Sequence, residues 1–114
     1  MAVTENRLNV LITTTPTVEG RRIERYLGIV TGEASSEVDV VTFTPGTKSF
    51  SDAYHKVIPS ARDSALKAVM QGVQQAGGNA LVGTSINYVI HGSGKGLVLV
   101  SVTGTAVVLG DAPQ

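Results

Sequence analysis

The chain has 114 residues, with nine Lys plus Arg, nine Asp plus Glu and no cysteine. This length predicts one domain with a single core, small enough for oligomerisation to add to its stability. The formal charge is zero, and the arginines at 21, 22 and 25 alternate with Glu19 and Glu24, so the sequence offers no basic surface for nucleic acid. The absence of cysteine excludes disulfides and thiolate metal sites. Neither a signal peptide nor a membrane-spanning segment is seen, and we expect a cytoplasmic protein without membrane contact.

The N-terminal part predicts an arm and one short strand. Residues 1–8 are expected to be a flexible arm, and residues 9–14 a strand that ends before Pro16. The turn around Glu19 and Gly20 separates this strand from the rest of the chain. Such a strand is typical of an element that pairs with the sheet edge of a neighbouring subunit.

A second strand is predicted over residues 24–34, where side chains alternate between two faces. Uniform alternation places Leu27, Ile29 and Glu33 on one face. We therefore expect the Glu33 carboxylate to approach the apolar side of the sheet, where it needs a partner.

A long helix is predicted from residue 50 to about residue 76, because apolar residues recur there at helical spacing. Pro59 lies inside this pattern and should kink or split the helix, since its ring meets the carbonyl group four residues earlier. Gly77 and Gly78 should end it. The apolar stripe consists of Ile58, Ala61, Ala65, Val69, Val73 and Ala76.

The last third of the chain predicts a β-hairpin with strands over residues 80–90 and 97–109, joined by the glycine-rich segment 91–96. A register with Ile90 opposite Val98 makes one face apolar and sets it against the helix. The other face should carry a polar stripe with apolar ends. Its expected cross-strand pairs are Val89 with Leu99, Asn87 with Ser101, Ser85 with Thr103, Gly83 with Thr105 and Leu81 with Val107.

These elements predict an α+β fold with two layers and the order β-α-β-β. The sheet is expected to be antiparallel, with the short N-terminal strand in addition. The domain should span residues 9–110, followed by a tail at 111–114. A sheet face with a polar middle and apolar ends is not expected to be left to solvent alone.

Several motifs follow one another along the chain. They are residues 13–17 with Gly20, residues 26–34, Ala53-Tyr54, Ala61-Arg62, residues 78–83, Tyr88 and residues 100–107. In this order they resemble the YbjQ family. The resemblance implies a dodecin-like subunit assembled as a homopentamer, in a family labelled as heavy-metal-binding and without an established activity. Asn87 stands where this family commonly has an acidic residue, and Pro59 where it has ordinary helix formers.

Candidate metal ligands are limited to His55 and His91, the two histidines of the chain. They belong to separate predicted elements, and soft metals prefer sulfur ligands. A structural or solvent-exposed role is favoured for both, and neither a stoichiometric metal ion nor another cofactor is expected. The segment 91–96 is not a phosphate-binding loop, because it joins two strands and Lys95 is followed by glycine.

Other candidate site residues are Glu33 and Arg62, which we expect either to form an ion pair that fixes subunit geometry or to anchor a charged ligand. Tyr54 and Tyr88 could stack on a planar ligand, but they serve equally well as core or interface aromatics. Ser101 and Thr103, on the polar stripe, complete the candidate ligand-binding set.

The leading functional hypothesis is a non-enzymatic, ring-forming binding or scaffold protein, with a small ligand or a metal ion at its subunit interfaces. The alternative is an enzyme with a site shared between subunits and built from Glu33, Arg62 and a tyrosine. A third hypothesis, flavin storage, lacks the expected tryptophan platform, since the chain has no Trp.

Overall fold

The structure is a computed structural model that describes residues 9–38, 50–93 and 95–111, without the side chains of 38, 50–54, 92, 93 and 95. The predicted arm at 1–8 and residues 112–114 of the predicted tail lie outside the described residues. No helix in the described ranges is both long and apolar enough to cross a membrane. The elements are β1 (Leu11–Ile12), β2 (Ile23–Val38), α1 (Phe50–Gln75), β3 (Ala80–Ser93) and β4 (Lys95–Leu109).

The strands form one sheet in the order β1-β3-β4-β2. Strand β4 is antiparallel to both β2 and β3, whereas β1 is parallel to β3, so the four-stranded sheet is mixed. Helix α1 packs on one face of this sheet, mainly over β2 and β4. The predicted α+β class is confirmed, with the short N-terminal strand added to the three long ones.

Strand β1 pairs with β3 and belongs to the sheet of its own chain, whereas the sequence predicts a strand separated from the rest of the chain. Pairing of its outer edge with a neighbouring subunit stays a prediction. Leu11 lies opposite Ala80, and the backbone N–H of Thr13 donates to the carbonyl of Leu81 at 3.0 Å. The reason is burial, because the side chains of Val10 and Ile12 belong to the core beneath α1. Removing these two residues from water favours docking onto their own sheet.

Helix α1 has 26 residues and begins and ends within one residue of its predicted bounds. It continues through Pro59, so the expected split does not occur. At its end the N–H of Gly78 donates to the carbonyl of Val73, and the N–H of Gly77 to that of Gln74, both at 2.9 Å. These two bonds are those of a Schellman motif, and they satisfy carbonyls that the helix itself leaves unpaired.

The helix approaches β2 at Gly32 more closely than a side chain would permit. A Cβ atom at Gly32 would lie 2.6 Å from the carbonyl oxygen of Ala65 and would overlap the backbone nitrogen of Val69. From the other side, a Cβ at Gly72 of the helix would lie 2.7 Å from Val30 Cγ1. The two glycines therefore set the distance between helix and sheet.

The hairpin register is as predicted from Ser85 to Ile90 and shifts by one residue before that. Beyond Ile90 the strands continue to Ser93 and from Lys95, so most of the segment 91–96 is paired strand and not the predicted loop. The shift is a β-bulge at Gly83 and Thr84, where Gly83 has φ of +59°. A bulge of this kind needs a residue that accepts left-handed backbone angles, which glycine does without steric cost.

This bulge reverses the faces of the residues that precede it. Leu81 lies opposite Ala106, in the core beneath α1, whereas the sequence predicts that it faces away from the helix with Val107. Ala80 and Val82 lie on the far face, where they form a second small core with Val107 and Leu109. Leu11, Val18 and Ile23 cover this second core.

A second irregularity lies in β2, between Tyr26 and Gly28. Leu27 packs toward the core beneath α1, whereas Ile29 lies opposite Thr105 on the other face and is 80% exposed. Glu33 lies opposite Ser101 on the same face as Ile29. The prediction that Leu27, Ile29 and Glu33 share the apolar face is therefore wrong for Ile29 and Glu33.

The alternation of β4 predicts opposite outcomes for two neighbouring substitutions. Val102 is fully buried beneath α1, so Val102→Asp should lower the free energy of unfolding by on the order of 3–5 kcal/mol, because it buries an unpaired carboxylate. Residue 101 lies on the other face, so Ser101→Asp should lower the free energy of unfolding by about 1 kcal/mol, mainly through like-charge repulsion with Glu33. Urea denaturation at matched protein concentration measures both. A larger loss for Ser101→Asp would mean that the register of β4 is wrong by one residue.

Candidate functional site

The sheet face opposite α1, which we call the open face, carries a central polar band. Two rows of paired residues cross it from β2 through β4 to β3. The hydroxyl oxygens of Thr31 and Thr103 lie 3.2 Å apart, within hydrogen-bond distance. The first row consists of Thr31, Thr103 and Ser85, and the second of Glu33, Ser101 and Asn87.

Apolar residues flank the polar band at both ends. Toward the hairpin turn, Leu99 lies between Ser35 and Val89, and Leu97 follows on the same face. At the other end the second small core lies under the N-terminal segment, beside the exposed Ile29. The predicted polar stripe with apolar ends is thus present on β3 and β4, and it continues onto β2.

The chemistry of the polar band is that of hydrogen bonding. Ser101 and Thr103 are half-buried, and their hydroxyls both donate and accept. The carboxylate of Glu33, which is exposed, is the only ionisable group in the two rows. These six residues thus supply hydroxyl, amide and carboxylate groups that can hold polar groups of a ligand.

Arg62 lies on α1, on the other side of the sheet from Glu33. Its nearest acidic partner is Asp63, with 3.8 Å between Arg62 Nε and Asp63 Oδ1. The expected ion pair between Glu33 and Arg62 is therefore wrong within one subunit, because the irregularity in β2 turns Glu33 to the open face. An enzymatic site that uses both residues would have to be shared between subunits.

Of the two candidate tyrosines, the structure describes the side chain of Tyr88 alone. Tyr88 lies opposite Val100, on the α1 side of β3, and is partly exposed. The side chain of Tyr54 lies outside the described residues. A stacking site for a planar ligand stays a prediction.

The two histidines do not form a metal centre with their described surroundings. His55 is exposed on α1, and His91 is exposed on the open face, in one row with Leu97 and Glu37. Within the described ranges, no three His, Cys, Asp or Glu side chains lie together as metal ligands. Soft heavy metals require several convergent thiolate or imidazole ligands, and the chain has no cysteine. The donor set of a single chain therefore does not fit a tight heavy-metal site.

The sequence did not predict that the side chains of Tyr26 and Ile29 are exposed. These side chains are 70% and 80% exposed on the open face of β2, although Ile29 was expected to lie within the sheet. The one feature of the sequence that indicates this exposure is Gly28 between them, which has φ of +112° in the structure. A glycine inside an alternating strand indicates a bulge, after which the faces exchange.

Comparison with known proteins identifies the family. Residues 10–110 match the family model YbjQ_1, described as "Putative heavy-metal-binding". The chain belongs to the YbjQ family. This confirms the resemblance seen in the sequence motifs.

Relatives of this YbjQ-family chain match it over nearly their whole length. A UPF0145 protein of Clostridium botulinum strain Alaska E43 is 39% identical over 103 residues, which cover 86% of this chain and 97% of the relative. A UPF0145 protein of Actinobacillus pleuropneumoniae serotype 3 is 39% identical over 105 residues, covering 88% and 99%.

A solved structure supports the fold of this YbjQ-family chain. It is a Pediococcus pentosaceus protein of the DUF74 family, described as having unknown function. Its TM-score is 0.65 at 16% identity, and the match covers 89% of this chain and 98% of that one. At this identity the similarity concerns the fold alone.

The family description and the donor set of this chain lead to different expectations about metal. We expect no stoichiometric zinc, copper or cadmium in protein purified without a histidine tag and dialysed against buffer, because the described ligands do not converge. Elemental analysis of the wild type, His55→Ala and His91→Ala measures this. One tightly held transition-metal ion per chain that is lost in either variant would contradict the expectation.

Proposed function

We propose that this YbjQ-family protein is a non-enzymatic binding or scaffold protein that acts as a closed ring of identical subunits, with five subunits the expected number. The observation that carries the proposal is the open face. Apart from the N-terminal segment at one end, no described element lies over it, although it carries exposed Tyr26, Ile29, Val89 and Leu97. Exposed apolar groups in this number are typical of a surface that is covered by a partner.

The amount of exposed apolar surface supports self-association. Tyr26 and Ile29 are mostly exposed, and the four large apolar residues at the hairpin end are between 39% and 55% exposed. Single exposed apolar side chains are ordinary on a monomer, whereas six large ones on one small sheet are typical of surface that a partner covers. A standard interface buries about 800 Å² per partner, so the polar residues around these side chains would complete it.

The polar band gives such an assembly a place for a small ligand. Glu33, Ser101 and Thr103 lie between the apolar ends, and in a ring they would lie at or beside a subunit interface. Their carboxylate and hydroxyl groups favour a small polar ligand with several hydrogen-bonding groups. A soft metal ion is disfavoured, because the band contains neither sulfur nor imidazole.

Size-exclusion chromatography coupled to light scattering tests the ring. The expected mass is about five times the 11.8 kDa of one chain, and it should stay constant from micromolar concentration upward. Gln71→Asp changes an exposed position on α1, on the other side of the sheet from the open face, and should give the same mass as the wild type. A monodisperse monomer at micromolar concentration would defeat the proposal.

A further inference from the structure

Two of the exposed large apolar side chains lie outside the open face, on the side of the sheet that carries α1. Tyr88 and Ile90 are 43% and 53% exposed, and they lie opposite Val100 and Val98. Helix α1 packs mainly over β2 and β4, so these two side chains lie beside the helix and not beneath it. Together with Ile86 they form the floor of a cleft that has α1 as its wall, which we call the β3 cleft.

Helix α1 turns one flank toward the β3 cleft. Gly72 and Ala65 lie against β2, at the edge of the sheet. Arg62, Leu66 and Met70 are spaced by four residues, so they lie along a different flank of the helix. Met70 on this flank is buried, and the flank therefore faces inward from β2, toward β4 and β3.

The strand register places Arg62 level with Tyr88. Gly32 lies beneath the helical turn that begins at Ala65, and its row across the sheet ends at Ile86. Tyr88 is two residues closer to the hairpin turn, a distance of about 6.6 Å at ~3.3 Å per residue. Because α1 runs opposite to β2 and β3, the same distance along the helix is about four residues toward its N-terminus, at ~1.5 Å per residue.

The β3 cleft combines an apolar floor with a cationic group on its wall. The side chain of Arg62 is 42% exposed, and its Nε lies 3.8 Å from Asp63 Oδ1, which is beyond hydrogen-bond distance. The side chain of Asp63 is 75% exposed, so solvent screens this pair. The guanidinium group can therefore accept a second anion, and the floor residues Ile86, Tyr88 and Ile90 include no Asp or Glu to compete with one.

We propose that the β3 cleft binds a monocarboxylate with an unbranched apolar chain. Its carboxylate pairs with Arg62, since a guanidinium offers two parallel N–H donors to a carboxylate and keeps its charge at all working pH values. Its chain lies on Tyr88 and Ile90 and removes their exposed surface from water. This site lies on the other side of the sheet from the polar band, so it is separate from the polar ligand proposed above and does not depend on the ring.

Methyl NMR spectra of the full chain, labelled at the isoleucine δ1 positions, test this site with sodium octanoate as the probe. Ile86 and Ile90 lie on the floor of the cleft, whereas Ile29 lies on the open face and Ile23 covers the second small core. We expect octanoate to shift the signals of Ile86 and Ile90 saturably in the millimolar range and to leave those of Ile23 and Ile29 in place. Acetate, which has the charge without the chain, should shift none of the four.

Variants of Arg62 separate the charge from the shape of the site. Arg62→Gln should weaken octanoate binding about tenfold, the loss expected for a hydrogen bond to a charged group, and should leave the binding of octan-1-ol unchanged. Arg62→Lys should keep part of the octanoate affinity, because it keeps the charge without the paired donors. Arg25→Gln, an exposed position near the start of β2, is the matched control and should bind octanoate like the wild type.

Several results would overturn this site. One is a wild type in which octanoate leaves the signals of Ile86 and Ile90 in place, because another part of the chain or a neighbouring subunit then covers the cleft. Another is a wild type that binds octan-1-ol as tightly as octanoate, and a third is an equal weakening of both probes in Arg62→Gln. Light scattering on the same samples measures the ring separately, so a monomer that binds octanoate would refute the ring and leave the site in place.

Discussion

The close contact between α1 and β2 at Gly32 is the constraint on which the arrangement of this subunit depends. Without a Cβ atom at this position, the backbone of the helix at Ala65 and Val69 lies directly on the sheet. The contact fixes the helix over β2 and β4, so that the buried side chains of β4 face it along their length. Among the described residues, the end of β3 near the hairpin turn is only partly covered on the α1 side, and Tyr88 and Ile90 are exposed there. This part of the exposed apolar surface is a consequence of where the helix lies.

Much of this fold could be predicted from the sequence, and the errors in the strand faces share one physical cause. Helical spacing predicted α1 nearly to the residue, and strand alternation predicted the hairpin register from Ser85 to Ile90. The sheet faces predicted for Leu81 and Ile29 were wrong, because a bulge adds one residue to a strand and exchanges its faces from there on. Gly83 and Gly28 mark the two places, but glycine alone does not tell a bulge from an ordinary strand position.

The candidate site was predictable to the same degree. Asn87, Ser101 and Thr103 lie on the predicted polar face, since they belong to the part of the hairpin where the register is correct. The role expected for Glu33 with Arg62 failed within one subunit, because it depended on an uninterrupted β2. A ligand for the polar band could not be predicted from the sequence, since hydroxyl, amide and carboxylate groups bind many kinds of polar molecule. The family description names heavy metals, and the donor atoms of this chain instead favour hydrogen bonding.

In the proposed ring, neighbouring subunits cover the exposed apolar residues of the open face, and this is the central claim. A high-resolution structure of the native assembly tests it most directly. We expect Tyr26 and Ile29 of each subunit to be buried against a neighbouring subunit, with the same contact repeated around a closed ring. An assembly in which Tyr26 and Ile29 both remain exposed to solvent would contradict it.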